Sequence, residues 1–325
     1  MAVLTPLSLA DAQRLGARYG LTVTAVTGVL AGSVNSNFAL SLDRGARVFL
    51  RIYEEQDARS AAGEAALLAH LAARGVPTPR PLSFVDDPGA FIAEQAGKPV
   101  AVFPWISGDS LCQARVGPEA ARQVGEALGR VHTAGASFPG APPSRFGPAR
   151  LAERIARLQA MTLDPPIAAV VTRLAARLDP FSARVHALDP RVSGLCHGDL
   201  FRDNVLWEGG AITALLDFES ASRESYPFDL MVTLLAWCFG DELDRALCRA
   251  MIEGYRSARS IPDEEVALLH AEGSFAALRF TVTRLTDFEL RPRGNGVFKD
   301  YRRFLARADA LAALGQRGLP GFLGL

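Results

Sequence analysis

The pattern of apolar residues changes once along this chain, near residue 106, and that change limits the fold more than any other feature. Before it, Val23–Leu30, Phe38–Leu42 and Val48–Tyr53 are short β-branched or alternating runs, punctuated by Gly32 and the turn Asp43–Gly45. That is the signature of an antiparallel meander. Asp57–Arg74 instead carries Ala62, Ala65, Ala66, Leu68, Leu71 and Ala72 at helical spacing, closed by Gly75 and Pro-Thr-Pro-Arg-Pro. Strands are expected again at Pro81–Val85, Phe91–Glu94 and Pro99–Trp105. After residue 106 helices take over: Gly117–Ala136, Leu151–Met161, Ile167–Leu188, Phe228–Phe239, Leu243–Ser257, Asp263–Asp287 and Lys299–Leu314. One strand pair interrupts them, Asn204–Trp207 and Ala211–Leu216, joined by the turn Glu208-Gly209-Gly210. The expected architecture is α+β and bilobal, a small antiparallel-sheet lobe with one helix (1–103), a connector (104–108) and a larger helical lobe (109–325), with a cleft between.

Composition excludes several classes. At 325 residues, 49% hydrophobic and 22% charged, the chain can bury a sizeable core. Lys plus Arg and Asp plus Glu both number 35, so the basic surplus of a nucleic-acid-binding protein is missing. Cys112, Cys196, Cys238 and Cys248 show no CxxC spacing and make no disulfide framework. The first residues lack the basic-then-apolar pattern of a signal peptide, and the apolar run Leu230–Phe239 is about half the ~20 residues a membrane span requires. A cytoplasmic protein that binds neither membrane nor nucleic acid is expected.

The chemistry is concentrated in His197-Gly-Asp-Leu-Phe-Arg-Asp-Asn204, followed after the hairpin by Leu216-Asp-Phe-Glu219. This is the H-x-D-x-x-x-x-N spacing of a kinase catalytic loop, with Asp217 at the place of the second metal-binding residue. A hydroxyl nucleophile needs a carboxylate to take its proton, the part of Asp199. A triphosphate needs hard oxygen ligands to hold magnesium, and Asn204 and Asp217 supply a carbonyl and a carboxylate. His197 precedes the loop and is expected to orient it. Arg51, on the third strand, is a candidate grip for the nucleotide phosphates, with Glu64 on the following helix as its ion-pair partner. In Ala31-Gly-Ser-Val-Asn-Ser-Asn37, which is no GxGxxG, Ser33 and Asn35 are candidate phosphate donors. Gly198 stands where regulated protein kinases carry an arginine, and only a dozen positions separate Asp217 from Asp229. Both features point to a small acceptor and to activity without phosphorylation.

With Ala31–Phe38, Leu50–Gln56, Leu71–Leu82, Leu128–Gly135, His197–Trp207, Leu215–Ala221, Asp229–Phe239 and Phe275–Phe288 in view, the sequence resembles the aminoglycoside-phosphotransferase and choline-kinase superfamily. Within it, the Val-Asn-Ser-Asn-Phe, Ala-Trp-Cys-Phe and Ala-Leu-Arg-Phe segments resemble bacterial homoserine kinases of protein-kinase-like fold. The resemblance implies transfer of the ATP γ-phosphoryl to L-homoserine on the way to threonine, with Mg²⁺ held by Asn204 and Asp217. It implies that Asp229 orients the catalytic loop, and it makes Arg279, Arg284 and Asp287 candidates for the amino-acid end of the substrate. Choline-like, sugar or aminoglycoside acceptors are alternatives, though the helical half shows no acidic run to suit a cation. A non-catalytic nucleotide-binding protein is a further alternative, disfavoured because base and both metal ligands are present.

Overall fold

The computed structural model describes residues 4–29, 34–187, 189–290 and 298–325. They fall into two compact units, one comprising the described part of 1–108 with 213–216, the other the remainder.

The first unit is an antiparallel sheet of five strands in the order β1-β2-β3-β5-β4. Its strands are β1 (Val23–Gly28), β2 (Ser36–Leu42), β3 (Arg47–Ile52), β4 (Ile92–Gln95) and β5 (Lys98–Pro104). Register pairs Phe38 with Leu50 and Arg51 with Ala101. Because side chains alternate along a strand, Leu50 and Ile52 go into the core with Leu40, Val100 and Val102, and Arg51 points to the other face. Helix α1 (Leu9–Arg18), which the periodicity reading passed over, starts at Ser8, whose side chain accepts from the Asp11 N–H. It packs Ala12 and Leu15 into the same core. Helix α2 (Ala58–Ala72) begins at the Asp57 cap and ends before Gly75, whose φ of +79° suits only glycine comfortably.

The strand expected at Pro81–Val85 does not form. Leu82 N–H reaches the Val102 carbonyl and Phe84 N–H the Ala90 carbonyl, but Pro79 and Pro81 remove the donors a continuous ladder would need.

The second unit is mainly helical: α3 (Pro118–Gly135), α4 (Pro148–Gln159), α5 (Pro165–Leu178), α6 (Tyr226–Trp237), α7 (Arg245–Ala258), α8 (Asp263–Arg284) and α9 (Arg302–Leu323). The long helix expected over Ile167–Leu188 stops at Leu178 and gives way to 3-10 turns, since Pro180 cannot donate to an α-helical ladder. Helix α9 runs past the expected Leu314 through a kink at Gly315, where φ is +66° and ψ is 169°. Two further strands, β6 (Ser193–Cys196) and β9 (Ser222–Ser225), pair antiparallel and bracket the candidate chemistry. Between them lie β7 (Val205–Glu208) and β8 (Ala211–Leu215) of the hairpin. Helix α6 is buried along its whole length, so it reads as a continuous apolar run. Among the described residues no helix is long and apolar enough to cross a membrane.

Helices α3 and α7 touch backbone to backbone. A Cβ on Gly125 would lie 2.0 Å from the Met251 carbonyl oxygen, and one on Gly254 1.9 Å from that of Arg122. Gly254→Ala must therefore force the two helices apart. Overpacking of this kind costs about 3 kcal/mol or more, and thermal unfolding should show a loss of several degrees in Tm. An unchanged Tm would mean that the helices separate freely.

Candidate active site

The segment His197–Asn204 leaves β6 and is held in place from four directions. Asp229, in the first turn of α6, accepts hydrogen bonds from the His197 and Gly198 N–H groups, both at 2.7 Å. Arg279 of α8 donates to the Gly198 carbonyl at 2.6 Å. Trp237 Nε1 donates to the Leu200 carbonyl at 2.9 Å. Asn204 Nδ2 donates to the Asp199 carbonyl at 2.8 Å, closing the loop on itself. Gly198 has φ of +76°, and a Cβ there would sit 3.0 Å from the Ser220 carbonyl oxygen. Glycine is required here by conformation and by space alike. His197 Nδ1 accepts from the Asp199 N–H at 3.3 Å, so its geometry is that of an orienting group.

Asp199 is partly exposed. Burial of its carboxyl pushes its pKa up to about 7, against the pull of Arg279 and Lys299 and helped by the charges of Asp217 and Asp203. Asp217 is exposed and makes no hydrogen bond or ion pair among the described residues, so its oxygens face outward. Its backbone is left-handed, with φ of +62° and ψ of 63°. Ala96 is the only other non-glycine residue with positive φ among those described. A non-glycine residue in this region costs on the order of 1 kcal/mol or more and is held there by its surroundings. Asn204 commits its amide nitrogen to the Asp199 carbonyl, which leaves its side-chain oxygen as the group it can offer. An amide carbonyl and a carboxylate are the hard oxygen donors a divalent cation takes.

Asp229 belongs to a longer chain of buried groups. His132 of α3 sets Nε2 3.0 Å from Asp229 Oδ2 and Nδ1 2.7 Å from the Tyr255 hydroxyl. Arg259 donates to that hydroxyl at 3.0 Å and to Glu265 at 2.8 Å. With Arg259 as donor to its oxygen, the Tyr255 O–H donates a hydrogen bond to His132 Nδ1, and Nε2–H then points at Asp229. Burial lowers the His132 pKa, which keeps the ring neutral. Burial raises that of Asp229, but the hydrogen bonds of His132 and the loop N–H groups outweigh it and hold the carboxyl below its ordinary value. Sequence reasoning found Asp229 and missed its supports: Tyr255 and Arg259 carry no local motif, and only folding brings α3, α6 and α7 together.

The other candidates are placed as follows. In the first unit, Arg51 Nη1 lies 3.5 Å from Glu64 Oε1, and both side chains are largely buried. Asn35 is buried, and its side-chain oxygen accepts from the Glu54 N–H at 3.2 Å. Ser33 lies outside the described residues. In the second unit, Arg279 is buried between Phe146 and Phe280, its guanidinium 4.1 Å and 4.4 Å from the ring centroids. Burial drives its pKa down to about 10, with the charge of Asp199 resisting, so it stays cationic. Asp287, in a π-helical turn after α8, accepts from Arg154 of α4 at 2.7 Å. Arg284 donates to the Asp300 carbonyl at 3.1 Å.

Asp199, Asn204 and the exposed Asp217 thus offer carboxylate and amide oxygens from one loop and the turn that follows the hairpin. Residues 25–261 match the phosphotransferase enzyme family that also carries the name APH, and the chain belongs to that family. It is similar to a homoserine kinase of Methylobacterium radiotolerans, at 34% identity over 314 residues, 94% of each chain. Among solved structures it is similar to the amicoumacin kinase hAmiN, solved with AMP-PNP and Ca²⁺, at 16% identity and a TM-score of 0.70 over 94% of each chain. It is also similar to a choline kinase of Cryptosporidium parvum, at 16% identity and a TM-score of 0.61 over 93% of each chain. The α+β, protein-kinase-like fold class expected from the sequence is the fold of these neighbours. The protein is an ATP-dependent small-molecule kinase that works with a divalent metal ion.

Proposed function

We propose that this kinase phosphorylates the hydroxyl of L-homoserine to give O-phospho-L-homoserine and ADP, a step toward threonine. The observation that carries the acceptor is the likeness to homoserine kinase across nearly the whole chain. The reading keeps the cytoplasmic location expected from the sequence, where ATP is at hand.

Asp199 takes the hydroxyl proton as the acceptor oxygen bonds to the γ-phosphorus and the bond to the β–γ bridging oxygen breaks. Asn204 and Asp217 would hold the divalent ion, magnesium in this proposal. When bound, it neutralises charge building up on the phosphoryl oxygens. Arg279 and Asp229 keep the loop that carries Asp199 from moving, one through the Gly198 carbonyl and the other through two N–H groups. In the first unit, Arg51 is the candidate phosphate grip, steadied by Glu64. Asn35 supports that unit through Glu54, and Ser33 remains the other proposed phosphate contact.

Steady-state kinetics with a panel of acceptors tests the reading. A site that pairs the carboxylate and ammonium of homoserine leaves polar groups unmatched when either is missing, at about 1–3 kcal/mol each. Homoserine should therefore exceed choline in kcat/KM by at least about 10-fold. Serine, one methylene shorter, holds its hydroxyl out of line with the phosphorus and should lose roughly 10²-fold. A higher kcat/KM for choline or kanamycin would leave a kinase with the wrong acceptor assigned.

A further inference from the structure

The carboxylate of an amino-acid acceptor needs a cation, and the three residues considered for that end of the substrate differ in how deeply they are buried and in what they hold. Arg279 holds the Gly198 carbonyl and Asp287 holds Arg154. Arg284 shares with Arg279 one Nη1 bond to a carbonyl, here that of Asp300, and a buried Nε without a hydrogen-bond partner among the described residues, but it is only partly buried where Arg279 is closed in. Its guanidinium lies 4.5 Å from the Phe304 ring centroid and 5.7 Å from that of Phe201.

Lys299 reaches the same ring from another part of the chain. Its Nζ is 5.9 Å from the Phe201 centroid and 3.4 Å from Asp203 Oδ2, with the side chain 36% exposed. Phe201 follows Asp199 by two positions, so two cations converge on one aromatic side chain inside the catalytic loop. Both act on the base electrostatically: Lys299 draws the Asp199 carboxyl down, and the charge of Asp199 supports the Arg284 cation. Arg303 adds a third positive charge, and its repulsion joins burial in pushing the Arg284 pKa down to about 10. An anion placed among these groups would relieve that repulsion, and a planar carboxylate matches the fork of a guanidinium.

We propose that Arg284 and Lys299 form the subsite that binds the α-carboxylate of a hydroxy amino acid acceptor. The proposal rests on the homoserine reading above and adds to it the residues that select an acid over a simple amino alcohol. Because the carboxylate contact exists before and during transfer, its loss should appear mainly in KM.

The test compares L-homoserine with 3-aminopropan-1-ol, which lacks only the carboxylate, in wild type, Arg284→Met and Lys299→Met. Each variant should lose at least about 10-fold in kcat/KM for homoserine. Any change in the base through the lost cation is common to both acceptors, so the ratio of kcat/KM for homoserine to that for 3-aminopropan-1-ol should fall at least about 10-fold, which general damage to the fold would not produce. Lys299→Met replaces a partly exposed side chain, so it decides the matter if Arg284→Met fails to fold. Wild type that turns over homoserine, with variants that lose both acceptors equally, overturns the subsite and leaves the function standing. Wild type that ignores homoserine overturns both.

Discussion

Asp217→Asn is expected to lower turnover by about 10³-fold, the scale of losing a charge-stabilising group aimed at a transferring phosphoryl, while the protein stays folded. The carboxylate is exposed and hydrogen-bonds to no described residue, so removing its charge takes nothing from the fold. Asparagine also tolerates the left-handed backbone that Asp217 adopts better than most residues do. Circular dichroism and thermal unfolding should therefore superimpose on wild type, with ADP release close to background. A folded variant that turns over at a near wild-type rate with saturating magnesium would remove Asp217 from the metal site. Asn204 would then have to be reconsidered with it.

The parts of this molecule that could be read from sequence are those whose cause is local. The meander β1–β3 follows from alternation and turn residues, and α2 from spacing, its Asp57 cap and Gly75. Asp199, Asn204 and Asp217 stand out as candidates because the spacing of a kinase catalytic loop is a local pattern within one short stretch. The misses have causes at a distance. Helix α1 spans only ten residues, although its apolar face is clear once Ser8 is seen to cap it and Ala12 and Leu15 are seen in the core. Strands β6 and β9 are four residues each and are defined by one another across an interval of more than twenty positions. Lys299 looks like any surface lysine until folding sets it over Phe201. The hydrogen bond of Arg279 to the Gly198 carbonyl likewise has no local sequence signal.

The base should separate from the metal ligands by its effect on chemistry alone. Asp199→Asn keeps the size of the side chain, and the hydrogen bonds that hold this loop run through backbone groups of residues 197–200. The Asp199 carbonyl that fixes Asn204 is also backbone, so the substitution leaves the Asn204 amide where it is. The loop therefore survives, and the lost function is proton acceptance. General-base catalysis contributes roughly 10²–10⁴-fold, and kcat should fall by about that factor. ATP binding, followed by calorimetry or by the KM for ATP, should change by less than about 3-fold, because a group acting on the acceptor proton contributes to the transition state and not to nucleotide affinity. The charge balance gives a further distinguishing sign. Burial disfavours the Asp199 carboxylate, its pKa pushed up to about 7 even with Arg279 nearby, so removing its charge should leave thermal stability at or above that of wild type while the nucleotide still binds. Should ATP binding collapse with kcat barely altered, Asp199 would be a nucleotide or metal ligand and the base would lie elsewhere.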